Sequence, residues 1–293
     1  MRFGLRRPSI RKRIAARTSW RRYLRHSLGL KAPRGFGWLT NPRRALYNRI
    51  YYRTTRPTCL VGVLLVLLTG IGLAATVTLG LHGSGQELPR ILILGDSISI
   101  GYTPYVQELL ASEAVVLRPM LDDKRPENCQ GTTYGLQHLD RWLESGGGRW
   151  DVIHFNFGLH DLKRVDPTTG RNSNDPDDPR QAEPDVYARQ LEAIVQRLKK
   201  TGAKLIFATT TPVPEGKVTP WRDASDPPRY NELARQVMAR HNVEVNDLYG
   251  AVLPRLHELQ RPANVHFTEK GSRFLAEHVA TAIRKALMKN KGE

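Results

Sequence analysis

Two kinds of apolar spacing alternate along most of the chain. Short apolar-rich runs at residues 90–94 (RILIL), 151–157 (DVIHFNF), 204–208 (KLIFA) and 243–245, with a weaker one at 115–117, have the length of strands buried on both faces. Between them, apolar residues recur three and four positions apart: Leu136, Leu139 and Leu143; Tyr187, Leu191, Ile194, Val195 and Leu198, closed by Gly202; Tyr230, Leu233, Val237 and Met238; Leu275, Val279 and Ile283. That spacing gathers them on one side of a helix. Strand followed by helix, repeated about five times, predicts an α/β domain over residues 90–288, with a parallel sheet of about five strands covered on both faces. In such sheets ligands bind at the carboxyl ends of the strands. Residues 166–185 are polar, rich in Pro and Asp, and too long for a simple connection, which leaves a disordered insert or a substrate-side loop.

A third pattern stands apart. Residues 59–81 (CLVGVLLVLLTGIGLAATVTLGL) form 23 positions without a charge; as a helix they would reach about 35 Å, enough to span a bilayer core. A cleaved signal peptide fits poorly behind 58 residues. The formal net charge of +17 at first suggests nucleic-acid binding, but its distribution argues otherwise. Residues 1–58 carry 17 Arg and Lys, and the first acidic residue is Glu87, so the remainder is neutral. Arg43, Arg44, Arg49, Arg53 and Arg56 precede the apolar run while Arg90 alone follows closely, which places the arm in the cytoplasm and the body outside. The expected organisation is a basic arm (1–58), a transmembrane helix (59–81), a linker (82–89) and an exported domain (90–288), as in a single-pass protein of a bacterial inner membrane. Trp20, Tyr23, Trp38, Tyr47, Tyr51 and Tyr52 among the arginines suit an arm lying on anionic lipid, with a solvated tail as the alternative. Two cysteines, Cys59 and Cys129, exclude a disulfide framework.

The candidate chemistry sits where strands end. Gly95-Asp96-Ser97 closes the first strand and would present a hydroxyl at the mouth of the sheet; alone it is also an ordinary turn. There is no G-x-S-x-G elbow. The strand at 151–157 runs into Asn156-Phe157-Gly158-Leu159-His160-Asp161, and near the C-terminus His266 precedes Thr268, a candidate cap of the last helix. Ser97, His160 and His266 can converge, whereas His138, His241, His257 and His278 fall in helical stretches and are expected to be solvated. No metal-ligand spacing is present and no cofactor is implied.

These blocks, in this order, resemble those of the SGNH/GDSL hydrolase superfamily over residues 90–288: Gly95-Asp96-Ser97, a glycine in the polar turn after the second strand, Gly158-x-x-Asp161, and a histidine before the last helix. The resemblance implies a flavodoxin-like three-layer sandwich, preceded here by the apolar run read as one transmembrane helix. It makes Ser97 the nucleophile and His266 the base, with Asp96, Gly158, Asp161 and Asn264 in support. The oxyanion amide would be that of Gly131 or, with a shift of one or two residues, that of Gln130 or Cys129. Two departures stand out. His160 occupies the place of the family's asparagine, and an imidazole N–H can also donate to an oxyanion. Ala263 occupies the place of its aspartate, so a backbone carbonyl or Asn264 would have to orient His266. The implied protein is a membrane-anchored serine esterase acting through an acyl-serine intermediate, with acetylated carbohydrate as the leading substrate class. A lipid-acyl esterase or thioesterase and a non-catalytic scaffold with a decayed site are the alternatives.

Overall fold

A computed structural model describes residues 87–216 and 218–288; the expected basic arm, the apolar run and residues 82–86 of the linker lie outside these. Among the described residues no helix is long and apolar enough to cross a membrane.

The apolar runs pair as one five-stranded parallel sheet. Its strands are β1 (Arg90–Leu94), β2 (Val115–Leu117), β5 (Val152–Phe155), β6 (Lys204–Ala208) and β7 (Glu244–Asn246), in the order β2-β1-β5-β6-β7. Ile91 to Leu94 are wholly buried and pair with Val152 to Phe155. Each such aliphatic side chain contributes about 1.5–3 kcal/mol through burial. A two-stranded antiparallel hairpin, β3 (Met120–Asp122) with β4 (Arg125–Pro126), follows β2.

Helices cover both faces. On one side α1 (Ser97–Leu109) packs on α7 (Glu269–Met288); on the other α2 (Thr132–Glu144), α3 (Pro184–Lys199) and α4 (Asp226–His241) pack in sequence. Two short helices, α5 (Leu248–Val252) and α6 (Leu256–Leu259), lead into α7. The periodic residues of α3 and α7, among them Leu191, Ile194, Leu275, Val279 and Ile283, are fully buried. Because the chain leaves β1 towards β2 and returns on the other side at β5, a crevice opens at the carboxyl ends of β1 and β5. Ser97 and the segment 156–161 emerge there.

Three points differ from, or add to, what the sequence pattern predicts. Residues 166–185 are not a disordered insert. The backbone of Arg164 donates to Trp221 O and that of Gln181 to Lys163 O, and Arg180 forks onto Asp226 at 2.8 and 2.9 Å. Arg164 pairs with Asp223. Ion pairs and backbone bonds, many to the segment 218–226, thus order a stretch whose one buried apolar side chain is that of Ala182. Second, α1 shows little helical periodicity because Gly101, Thr103 and Pro104 interrupt it; the Asp96 cap and packing against α7 form it. Third, three of the four helical histidines are half-buried instead of solvated. His138 stacks on Tyr134 at 3.9 Å, His241 pairs with Glu192 and His278 leans on Phe274 at 4.5 Å, while His257 is exposed. Rings at helix surfaces cover apolar neighbours, which composition does not reveal.

Candidate active site

The turn after β1 places Ser97 as the first residue of α1. Asp96, 2% exposed, accepts the Ile98 amide at 2.9 Å and so caps the helix. Burial raises its pKa above the ordinary carboxylate value, against the Ile98 bond and the charge of Arg222. Its role in the turn is to fix the backbone that carries Ser97.

His266 arrives from the far end of the chain, in the loop between α6 and α7. The loop is tied down at several points. Gln260 pairs with Phe267, its amide donates to Val265 O at 3.1 Å and to Pro212 O at 2.8 Å, and Arg261 N donates to His266 O at 2.9 Å. Thr268 accepts the Gly271 amide at 3.1 Å and opens α7. His266 Nε2 lies 2.9 Å from Ser97 Oγ, and Nδ1 lies 2.7 Å from Asn264 Oδ1, which also accepts the backbone N–H of His266 at 2.9 Å. That backbone donor requires the amide oxygen to face it. Nδ1 therefore carries the proton, and the lone pair of Nε2 faces the serine hydroxyl. Burial lowers the His266 pKa from its ordinary 6.5, opposed by Asp96 and assisted by Arg261 and Arg222, so the ring is a neutral base at pH 7.

The three candidate amides differ in their partners. Cys129 N donates to Gly95 O at 3.1 Å, and Gln130 N to Asn128 Oδ1 at 2.8 Å. Neither Gly131 N nor Ser97 N has an acceptor among the described residues, and both stand at helix N-termini. Asp161, wholly buried, accepts Thr132 N at 2.8 Å and Thr132 Oγ1 at 2.5 Å, clamping the start of α2; a Cβ on Gly131 would lie 2.8 Å from the same carboxylate. Burial pushes the Asp161 carboxyl up to about 6, against the Thr132 bonds.

His160 is half-buried beyond Gly158. Burial, with the charges of Lys163, Arg222 and His266, brings its pKa down to about 3, so it is neutral throughout the physiological range. Lys163 Nζ lies 3.5 Å from Nδ1. An ammonium only donates, so Nδ1 presents its lone pair and Nε2 holds the N–H.

A protein-family model, the GDSL-like lipase/acylhydrolase family, matches residues 93–274. The chain belongs to this family. It is a hydrolase of carboxylic esters. Among solved structures the esterase is similar to a lipase/acylhydrolase from Enterococcus faecalis, with 22% identity, a TM-score of 0.54, and coverage of 68% of this chain and 96% of that one. It is also similar to the acetyl xylan esterase AlAXEase, at 19% identity and TM-score 0.50 over 66% and 99% of the two chains. The acetylxylan esterase Axe2 from Geobacillus stearothermophilus is a further neighbour, at 16% and 0.52 over 67% and 94%. At these identities the likeness shows the fold. No curated protein matches the chain.

The structure of the esterase also brings forward residues that local patterns do not mark. Asn156 is occupied in joining strand ends, its Nδ2 donating to Ala208 O at 2.7 Å. Arg118 is buried and donates to Gly95 O, Glu127 O, Ser99 Oγ and Thr103 Oγ1, bracing the turn beneath Ser97. Arg222 donates to Leu159 O at 2.8 Å, next to His160. Both arginines follow unremarkable loop sequence, and only the crossovers of the chain carry them to the site; Lys163, three positions after His160, is the one with a local signal. No group of three or more His, Cys, Asp or Glu side chains placed to hold a metal occurs among the described residues.

Proposed function

We propose that this esterase is anchored in a membrane by residues 59–81 and removes O-acetyl groups from carbohydrate through an acyl-serine intermediate. The observation that carries the mechanism is the continuous line from Asn264 Oδ1 through His266 to Ser97 Oγ, at 2.7 and 2.9 Å. His266 Nε2 takes the serine proton as Oγ attacks the ester carbonyl, while Asn264 holds the Nδ1–H tautomer. The carbonyl oxygen becomes an oxyanion facing the free amides of Ser97 and Gly131 and the Nε2–H of His160. Such donors act mainly in the transition state, at about 3 kcal/mol each. His266 then returns the proton to the leaving alcohol oxygen, and water attacks the acyl-serine by the same route in reverse. A neutral His160 suits this role, since it donates without having to lose a proton. The acetyl-carbohydrate part draws on the names of AlAXEase and Axe2. The anchor draws on the uncharged run and the one-sided charge before it.

A serine-directed fluorophosphonate tests the mechanism. Ser97 is expected to be labelled, Ser97→Ala and His266→Ala to lose both labelling and hydrolysis of acetyl esters, and His160→Ala to lower kcat about a hundredfold with KM little changed. Undiminished turnover in His266→Ala would overturn the proposed base.

A further inference from the structure

Two cations stand at the site without a carboxylate. Lys163 is 7% exposed and Arg222 is 6% exposed. Neither has an Asp or Glu oxygen within ion-pairing distance among the described residues, although the adjoining Arg164 and Arg180 are matched with Asp223 and Asp226. A buried charge is costly unless something compensates it. Arg222 spends Nε on Leu159 O and Nη1 on Pro220 O at 3.1 Å, and Nη2 donates to no described residue. Lys163 has only the long contact to His160 Nδ1, which leaves most of its three donors unused. Both are anchored at residues 159–160, beside the oxyanion donors. Burial pushes the Arg222 guanidinium down to about 10, which leaves it charged at pH 7, and lowers Lys163 as well.

The carboxylates in reach are Asp96 and Asp161. Each is turned away, Asp96 onto Ile98 N and Asp161 onto Thr132. Exposed Arg261 adds a further positive charge near His266. Lys163 and Arg222 are thus left without a carboxylate in contact.

We infer that the ester taken by this site carries a negative charge, a carboxylate on the acylated sugar, which Lys163 and the free edge of Arg222 bind. The inference rests on the esterase reading of Ser97 and His266. It differs from a general stabilisation of the oxyanion by the same cations, which would favour charged and neutral esters alike.

The test uses the purified full chain in a non-ionic detergent, with a mono-O-acetylated methyl glucuronoside, its uncharged methyl ester, and 4-nitrophenyl acetate. The expected result is a kcat/KM for the carboxylate at least tenfold above that for its methyl ester at low salt, narrowing as salt screens the attraction. Lys163→Met and Arg222→Met are each expected to reduce that ratio at least fivefold, mainly by raising KM for the carboxylate. Equal rates for the two glucuronosides in the unmodified protein, with 4-nitrophenyl acetate hydrolysed, would overturn the inference and leave the esterase reading standing. An equal loss on both glucuronosides in the variants would assign the cations to the oxyanion and overturn it too. Turnover of none of the three esters, without labelling of Ser97, would overturn the esterase reading and this inference with it.

Discussion

At the scale of single residues, the contact between Asn264 and His266 defines how far the site departs from a Ser-His-Asp arrangement. An amide oxygen orients the ring but brings no full charge to steady the imidazolium that forms when Ser97 gives up its proton. Ala263 lies at φ 49° and is exposed, and the Nδ1 position is already taken. Ala263→Asp is therefore expected to bring no gain in kcat/KM, and Asn264→Ala to lower kcat at least tenfold. Asn264→Asp keeps the acceptor geometry and adds charge. The pH profile of kcat/KM reads this directly. His266 must be unprotonated to act, so activity falls as pH drops through its pKa. Because burial depresses that pKa, the inflection of the unmodified enzyme is expected below 6.5, with no second limb from His160 near neutrality. In Asn264→Asp the added anion favours the imidazolium, and the inflection should move to higher pH. An unmoved inflection would show that another group sets the ring's basicity.

At the scale of elements, the ends of β5 and β6 set how closely the site loops approach. Gly158 has φ 150°, and a Cβ there would come within 2.0 Å of Thr210 Oγ1, which donates to Phe157 O. Backbone strain and the clash together make Gly158→Ala destabilising by on the order of 3 kcal/mol, or a Tm lower by about 6–12 °C for a domain of this size. Thr210→Ala in the same chain removes the closest clash and should recover part of the loss, which thermal unfolding of the single and double variants would measure. The glycine was readable from the sequence as part of the Gly158-x-x-Asp161 block. The reason for it was not, because Thr210 is brought there by strand pairing across 52 positions. The same contrast holds for α1. Its start is written in the Asp96 cap, while its body depends on α7, more than 160 positions away.

At the scale of the whole molecule, everything the proposed chemistry uses lies between Asp96 and His266. The whole sheet and its covering helices lie within residues 90–288. A chain starting at residue 87 is therefore expected to fold, to take the fluorophosphonate and to hydrolyse 4-nitrophenyl acetate with the kcat of the full chain. It should remain in the supernatant after ultracentrifugation of lysed cells, while the full chain sediments with the membranes. Sedimentation of both, or of neither, would contradict the assignment of residues 59–81 as the anchor.

The sequence by itself determined the α/β layering, because short apolar-rich runs with periodic segments between them can be buried in few other ways. It determined the separation of charge between residues 1–58 and the body, and it marked Ser97, His160 and His266 through the order of their blocks, with the oxyanion amide left among Cys129, Gln130 and Gly131. Tertiary structure decided what local spacing left open. Of three candidate amides, the partners of Cys129 and Gln130 leave that of Gly131 free; of two candidate supports for His266, Asn264 makes the bond. Residues 166–185 became ordered through Arg164 and Arg180, whose acidic partners stand 59 and 46 positions away, and Arg222 reached Leu159 across 63. These outcomes rest on which groups meet after the crossovers close, and a hydrogen bond or ion pair between distant positions leaves no periodic trace in the chain.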